Sequence, residues 1–308
     1  MNKTLSLTTK PRRPLAELNL MDDFLFQQIL LQEKEGPEFC RIILSTILGR
    51  PIRNVRIIPQ KNILGIDTDR HGIRLDAYIE DISEIDDPIF ANEIDAQIIP
   101  NIYDIEPNKT FEKKSLPKRM RYYHGLIDTQ LLSTGIKYDK LQNVVIIFIL
   151  PYDPFEKNRM VYTIRNQCIE DSSVFYDDGA TKIFLYTKGK EGNPSQELKD
   201  MLQYMENTSD ENVTNENLNS IHQIVENTKH RKEVGINYMK SWEHDEMVRN
   251  EGIEQGIEQG IDHGIKSLIL TLQEMNVSSE QISSKLIQHF SLTFEEANTY
   301  IEKYQNKK

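Results

Sequence analysis

Residues 72–80 read GIRLDAYIE, in which Ile73, Leu75, Ala77 and Ile79 alternate with Arg74, Asp76, Tyr78 and Glu80. Apolar and polar side chains alternating with period two mark a β-strand that lays one face on a core. Such a strand carries Asp76 on its polar face. Downstream, Ile102 to Glu106 is a second strand candidate with Asp104 and Glu106 on one face. Residues 117–132 follow Pro117 with helical spacing, and VVIIFIL at 144–150 is a near-continuous apolar run. Such a run suits a central strand covered on both faces. Lys182 to Tyr186 gives one more strand. Upstream, Val55 to Ile58 is short and β-branched. Two helices precede it, one carrying Phe26, Ile29 and Leu30 and the other Phe39, Ile42, Ile43 and Ile47. Gly36-Pro37 is expected to separate them, and Gly49 with Pro51 to end the second.

Helices, then strands interrupted by a helix, then helices again predict an α/β core, a mixed sheet flanked by helices, with an α-helical C-terminal extension. The expected organisation is a flexible arm at 1–18, which holds Pro11 and Pro14, a core domain at 19–190, a helical linker region at 191–248 and a terminal helical unit at 249–308. The linker region includes a polar stretch from Thr208 to Asn219.

The 308 residues include two widely separated cysteines, Cys40 and Cys168, which excludes a disulfide framework and a cysteine-rich zinc site. Two thiols suit a reducing, cytoplasmic setting. No apolar run approaches the ~20 residues of a membrane helix, and no apolar segment follows Lys10, Arg12 and Arg13 as a secretory signal would require. The net charge of −11 argues against a general nucleic-acid coat protein. It leaves a nuclease open, because acids grouped around a cation become tolerant of anions. The seven histidines form no spaced zinc motif, and no glycine-rich phosphate loop follows a strand.

Hydrolysis of a phosphodiester with Mg²⁺ needs carboxylates that adjacent strands bring to one point. Asp76 and Glu106 meet that requirement if their strands pair. Asn108 follows Glu106 by two places and projects to the same side if the strand continues, and Lys109 lies next to it. Glu93-Ile94-Asp95-Ala96-Gln97 offers a rival second acid in Asp95, with Gln97 behind it.

The order and spacing of several pieces resemble the Rpn family of recombination-promoting nucleases, a branch of the PD-(D/E)XK superfamily. The pieces are Asp23-Phe24-Leu25-Phe26, Gly72 to Tyr78, Tyr103-Asp104-Ile105-Glu106, Leu116-Pro117-Lys118-Arg119-Met120-Arg121-Tyr122-Tyr123 and Leu126-Ile127-Asp128, with Gly135, Tyr138 and Leu141 before the VVIIFI strand. The resemblance covers about residues 19–190. It implies a PD-(D/E)XK restriction-endonuclease-like core and a DNA endonuclease linked to recombination and mobile elements. It implies Mg²⁺, with Mn²⁺ as substitute, held by Asp76 and Glu106 with help from Asp23, and Asn108 or Lys109 orienting water or phosphate. The family usually has Gln where this chain has Asn108, which is one methylene shorter. The Asp76–Glu106 gap is also wider than usual, through an insertion at 84–101.

Residues 109–121 hold Lys109, Lys113, Lys114, Lys118, Arg119 and Arg121 against the single acid Glu112. In an acidic chain this cluster is expected to contact DNA phosphates, positioning the backbone without reading sequence. A solvated basic face is the alternative.

Toward the C-terminus, EGIEQGIEQGIDHGI sets Gly252, Gly256, Gly260 and Gly264 four residues apart beside Ile253, Ile257, Ile261 and Ile265. Each interior helical glycine costs about 1 kcal/mol relative to Ala. The expected return is close approach of a second helix, giving a homo-oligomer through the C-terminal helices. Beyond it, Ser278 with Gln281 and Thr293 with Glu296 read as capping boxes. Ile282, Leu286, Ile287 and Phe290 form one apolar face, and Ala297, Tyr300 and Ile301 another.

Overall fold

The computed structural model describes residues 12–63, 72–82, 101–132 and 135–304. Residues 84–100 of the insertion, Glu93, Asp95 and Gln97 among them, lie outside the described residues, as do residues 1–11 of the expected arm. The chain divides into a unit spanning Arg13–Tyr238 and a second that takes in Met239–Lys308.

The first unit is built on one six-stranded mixed sheet in the order β1-β2-β3-β4-β6-β5. The strands are β1 (Val55–Ile63), β2 (Ile73–Asp81), β3 (Asn101–Pro107), β4 (Val144–Leu150), β5 (Val161–Ile164) and β6 (Ala180–Tyr186). β1, β2 and β3 pair antiparallel, β3, β4 and β6 run parallel, and β5 closes the edge antiparallel to β6. Helix α3 (Leu116–Leu131) makes the β3-to-β4 crossover that a parallel pair requires. VVIIFIL is β4, and its apolar continuity has a plain cause. Ile147 and Ile149 enter one core, while Val144, Ile146, Phe148 and Leu150 enter the other. β5 is not among the expected strands, although Val161, Tyr162, Thr163 and Ile164 all favour strands. Its four residues are an exposed or half-exposed edge with no alternation to read.

The first core gathers α1 (Asp23–Leu30), α2 (Glu35–Leu48), α4 (Gln196–Glu206) and α5 (Glu216–His230) on one face of the sheet. The second lies under α3 through Met120, Tyr123, Leu126 and Ile127. The segment 191–248 is therefore not a linker. Leu198, Met201, Leu202, Tyr204 and Met205 of α4 and Leu218, Ile221 and Val225 of α5 are buried in the first core. The end of the expected arm is also anchored, because Leu18 is buried in that core. Gly36-Pro37 does not separate the first two helices but sits in the first turn of α2. Proline is tolerated there because first-turn N–H groups have no intrahelical acceptor. Gly49, at φ 63°, ends α2 in the left-handed conformation that glycine adopts without strain.

The alternation in β2 is not carried through as the sequence predicts. Ala77 and Ile79 enter the first core, but Ile73 and Leu75 enter the α3-side core. The change of side falls at Asp76. Opposite it on β1, Gln60 has φ 50°, and the β1–β2 register skips that pair between Pro59↔Ala77 and Lys61↔Leu75.

α6 (Lys232–Glu274) runs from the first unit into the second. There its Ile265 and Ile269 pack with Ile282 and Leu286 of α7 (Ser279–Phe290) and Ala297 and Ile301 of α8 (Phe294–Tyr304). Both caps form. The Ser278 side chain accepts from the Gln281 N–H at 3.4 Å, and the Glu296 carboxylate accepts from the Thr293 N–H at 2.8 Å. A Cβ on Gly264 would stand 3.3 Å from the Phe290 ring, a close contact within the unit. Gly252, Gly256 and Gly260 have open space around them, and Ile253, Ile257 and Ile261 are exposed.

Leu202 of α4 is wholly buried in the first core. Leu202→Ala should cost about 2–5 kcal/mol in urea unfolding. A loss below about 0.5 kcal/mol, typical of surface positions, would mean that α4 is not part of the core.

Candidate active site

β3 is an interior strand, and its even-numbered side chains face α3. Asp104 stands between Tyr78 on β2 and Ile146 on β4, and Glu106 stands beside Phe148. The register Ala77↔Ile105 brings Asp76 next to Glu106, and the Asp76 backbone N–H donates to Glu106 Oε1 at 2.9 Å. The two acids singled out in the sequence thus meet across paired strands. From the other side of the sheet, Gln27 of α1 donates to the Asp76 carbonyl at 3.3 Å. Asp23, four residues earlier, opens that helix and acts electrostatically on Asp76.

Burial governs the charge state here. Glu106 is 3 % exposed, and its carboxyl is pushed up to about 8, first by burial and then by Asp76, while the Asp76 N–H and Arg119 pull the other way. Asp76 is half-buried and pushed up to about 6 by burial and then by Asp23, against Arg74 and Arg119. Asp23 is exposed as a residue, yet desolvation of its carboxyl raises its pKa, and Lys109 opposes that.

Asp104 is the residue that sequence reasoning left without a role. It is 0 % exposed, and neither carboxylate oxygen makes a well-formed hydrogen bond, although the Ala77 N–H lies near enough to act on it. Burial, then Glu106 and Asp76, drive its pKa far up. The signal was present in its place two residues before Glu106, on the same strand face.

Arg119 also departs from expectation. It does not point out toward a phosphate. Its guanidinium contacts Glu106 Oε2 and Glu112 Oε2, each at 3.4 Å, and donates to the Tyr123 hydroxyl at 2.9 Å from Nη2. It lies over the Phe148 ring at 5.3 Å. It is the counter-cation of the acid cluster.

Asn108 is 9 % exposed, and its Oδ1 accepts from the Thr110 N–H at 2.8 Å, closing a turn just past the strand. Its side-chain oxygen is therefore engaged locally. β3 ends at Pro107, so strand alternation does not constrain Lys109, which reaches back to Asp22 at the entry to α1. Lys113 pairs with Glu156. Lys114, Lys118 and Arg121 are exposed, with no ion-pair partner among the described residues. His124, on α3, is buried and pushed down to about 4, chiefly by that burial, which keeps it neutral.

Among the described residues, no three His, Cys, Asp or Glu side chains are already gathered as a metal-ligand set. The donor chemistry nevertheless fits a hard divalent cation. Mg²⁺ keeps several waters and takes one or two protein carboxylates, so Asp76 and Glu106 suffice without a cage. The buried oxygens of Asp104 and the raised pKa values of its neighbours mark an excess of buried negative charge that such a cation would offset. Comparison of the chain with models of known families, with curated proteins and with solved structures finds no match.

Without a cation, the folded protein holds a proton on Glu106 that the unfolded chain gives up. The stability this contributes is complete below the ordinary value of 4.5 and is lost as pH rises through about 8. The melting temperature of the metal-free protein should fall across that window. Glu106→Gln, which cannot ionise, should flatten the fall and melt higher than wild type at the alkaline end. Identical pH profiles for the two proteins would contradict the burial of Glu106.

Proposed function

We propose that the chain is a divalent-metal-dependent DNA endonuclease of the PD-(D/E)XK type, with little sequence preference, Mg²⁺ as its cation and Mn²⁺ as a substitute. The observation that carries this reading is the junction of Asp76 and Glu106 across β2 and β3, with the buried Asp104 beside them. Buried, mutually repelling carboxylates are costly to fold and have a reason to persist where they hold a cation. The α/β sheet with α3 crossing over the acids agrees with it, as does the exposed cationic rim of Lys114, Lys118 and Arg121.

Asp76 and Glu106 hold the cation, and Asp23 adds negative charge from α1. When bound, the cation polarises the scissile phosphate and acidifies a water for attack. Arg119 keeps the Glu106 carboxylate oriented through Oε2 while the Asp76 N–H fixes Oε1. Lys114, Lys118 and Arg121 take the DNA backbone. Lys109, close to Asp22 and Asp23, is the cation placed to meet a phosphate on the α1 side. The linkage to recombination and mobile elements rests on the family resemblance alone.

One observation favours a second reading, a binding module on a nuclease fold that no longer cuts. Asn108, at the place of the family's Gln, spends its side-chain oxygen on Thr110. Under that reading the protein would bind Mn²⁺ no better than Asp76→Ala does.

Nicking of supercoiled plasmid with Mg²⁺ or Mn²⁺ separates the two. Asp76→Ala and Glu106→Ala should each lose on the order of 100-fold or more in rate, the scale of several kcal/mol of metal-borne stabilisation. Asp95→Ala should cut as wild type does. Loss with Asp95→Ala but not Glu106→Ala would move the second ligand to the insertion. A wild-type protein that never cuts would leave the binding module.

A further inference from the structure

We propose that Phe111 is a stacking platform for one unpaired nucleobase at the rim of the acid cluster. The preferred substrate is then DNA with a single-stranded stretch at the point of attack. This rests on the nuclease reading and names the substrate class within it.

Phe111 lies in the short segment between β3 and α3, five residues after Glu106, and is 69 % exposed. A phenyl ring left in water forgoes most of the gain that burial would bring, so folding alone does not favour this placement. Nor does the ring hang from a loose loop. It packs edge-on against Tyr152, with centroids 4.9 Å apart and planes at 61°. The Tyr152 hydroxyl accepts the Glu112 N–H at 3.3 Å, and the Asn108 side chain ties down the segment's start. The ring is held on one side by Tyr152 and leaves most of its surface in solvent.

Its position relative to the chemistry follows from contacts. Glu112, the next residue, shares the Arg119 guanidinium with Glu106. Phe111 therefore flanks the site at one residue's remove from a side chain linked to the metal carboxylate. The exposed cations Lys114 and Lys118 follow it closely along the chain, while Lys113 is held by Glu156. Exposed aromatic rings together with lysines that can follow a phosphate chain are the means by which proteins hold single strands.

The charge complementarity selects a polyanion over an apolar partner. The ring face then selects among polyanions. In a duplex the bases are stacked on each other and offer only edges in the grooves. A protein ring can stack on a base only where the base is unpaired. A single strand, an overhang or a flap satisfies this, and an intact blunt duplex does not.

The test is fluorescence anisotropy of the full-length protein with labelled oligonucleotides of about 20 nucleotides, longer than the 4–16 that one binding fold spans. The single strand and its blunt duplex are compared, with Ca²⁺ in place of Mg²⁺ to hold back cutting. Wild type should bind the single strand more tightly. Phe111→Ala should weaken single-strand binding on the order of tenfold, the scale of stacking one base, and leave duplex binding unchanged. Phe111→Trp should keep single-strand affinity, and Phe111→Leu, apolar but unable to stack, should behave as the alanine variant does. Equal effects on both DNAs, no effect on either, or wild-type affinity in Phe111→Leu would overturn the stacking role and leave the nuclease reading standing. A wild-type protein that binds neither DNA would overturn the nuclease reading and this inference with it.

Discussion

The burial of Asp104 and Glu106 on one face of an interior strand, with half-buried Asp76 next to them on β2, is the constraint on which the rest of this structure depends. Moving one ionised carboxylate out of water costs several kcal/mol even after relaxation, and Asp76, Asp104 and Glu106 share one cationic neighbour, Arg119. β3 cannot relieve the cost by turning its acids to solvent, because it lies between β2 and β4 and under α3. The fold answers with local devices instead. A backbone N–H from β2 is donated to Glu106, Arg119 is turned inward, and protons are held above their ordinary range.

The geometry that sets Asp76 there is a defect in a regular strand. Leu75 and Ala77 enter different cores, which a strand of unbroken period two cannot arrange. The positive φ of Gln60 on the partner strand absorbs the change. The carbonyl of Asp76 is then held by Gln27 from α1 and its N–H by Glu106. One residue is thereby fixed from both sides of the sheet, and α1 brings Asp23 toward the same charge. Irregular backbone at a functional position is a recurrent way of aiming a side chain.

Much of this architecture was legible from residues. The apolar run at 144–150 announced a doubly covered strand, and the i, i+2 acids at 104 and 106 announced their shared face. Four things were not legible, each for a physical reason. The change of side at Asp76 leaves the period-two pattern intact in the sequence, since both sides are buried. The inward turn of Arg119 depends on Tyr123 and Phe148 from different elements. The reach of Lys109 depends on β3 stopping at Pro107. The helices α4 and α5 looked like a linker because their apolar stripes say that they pack, not where. Asp104 was visible and undervalued. A buried acid is told from an exposed one only by what covers it, and that is α3, the next element along the chain, folded back over the sheet.

The proposed function requires Asp76 and Glu106 together to hold a divalent cation. A crystal soaked in Mn²⁺ and measured at the manganese absorption edge tests it most directly. The expected result is one anomalous peak about 2.0–2.3 Å from a carboxylate oxygen of each residue, the range of Mg²⁺-like coordination with allowance for the larger ion. A peak held by Asp95 without Glu106, or no peak among these carboxylates at saturating Mn²⁺, would contradict it.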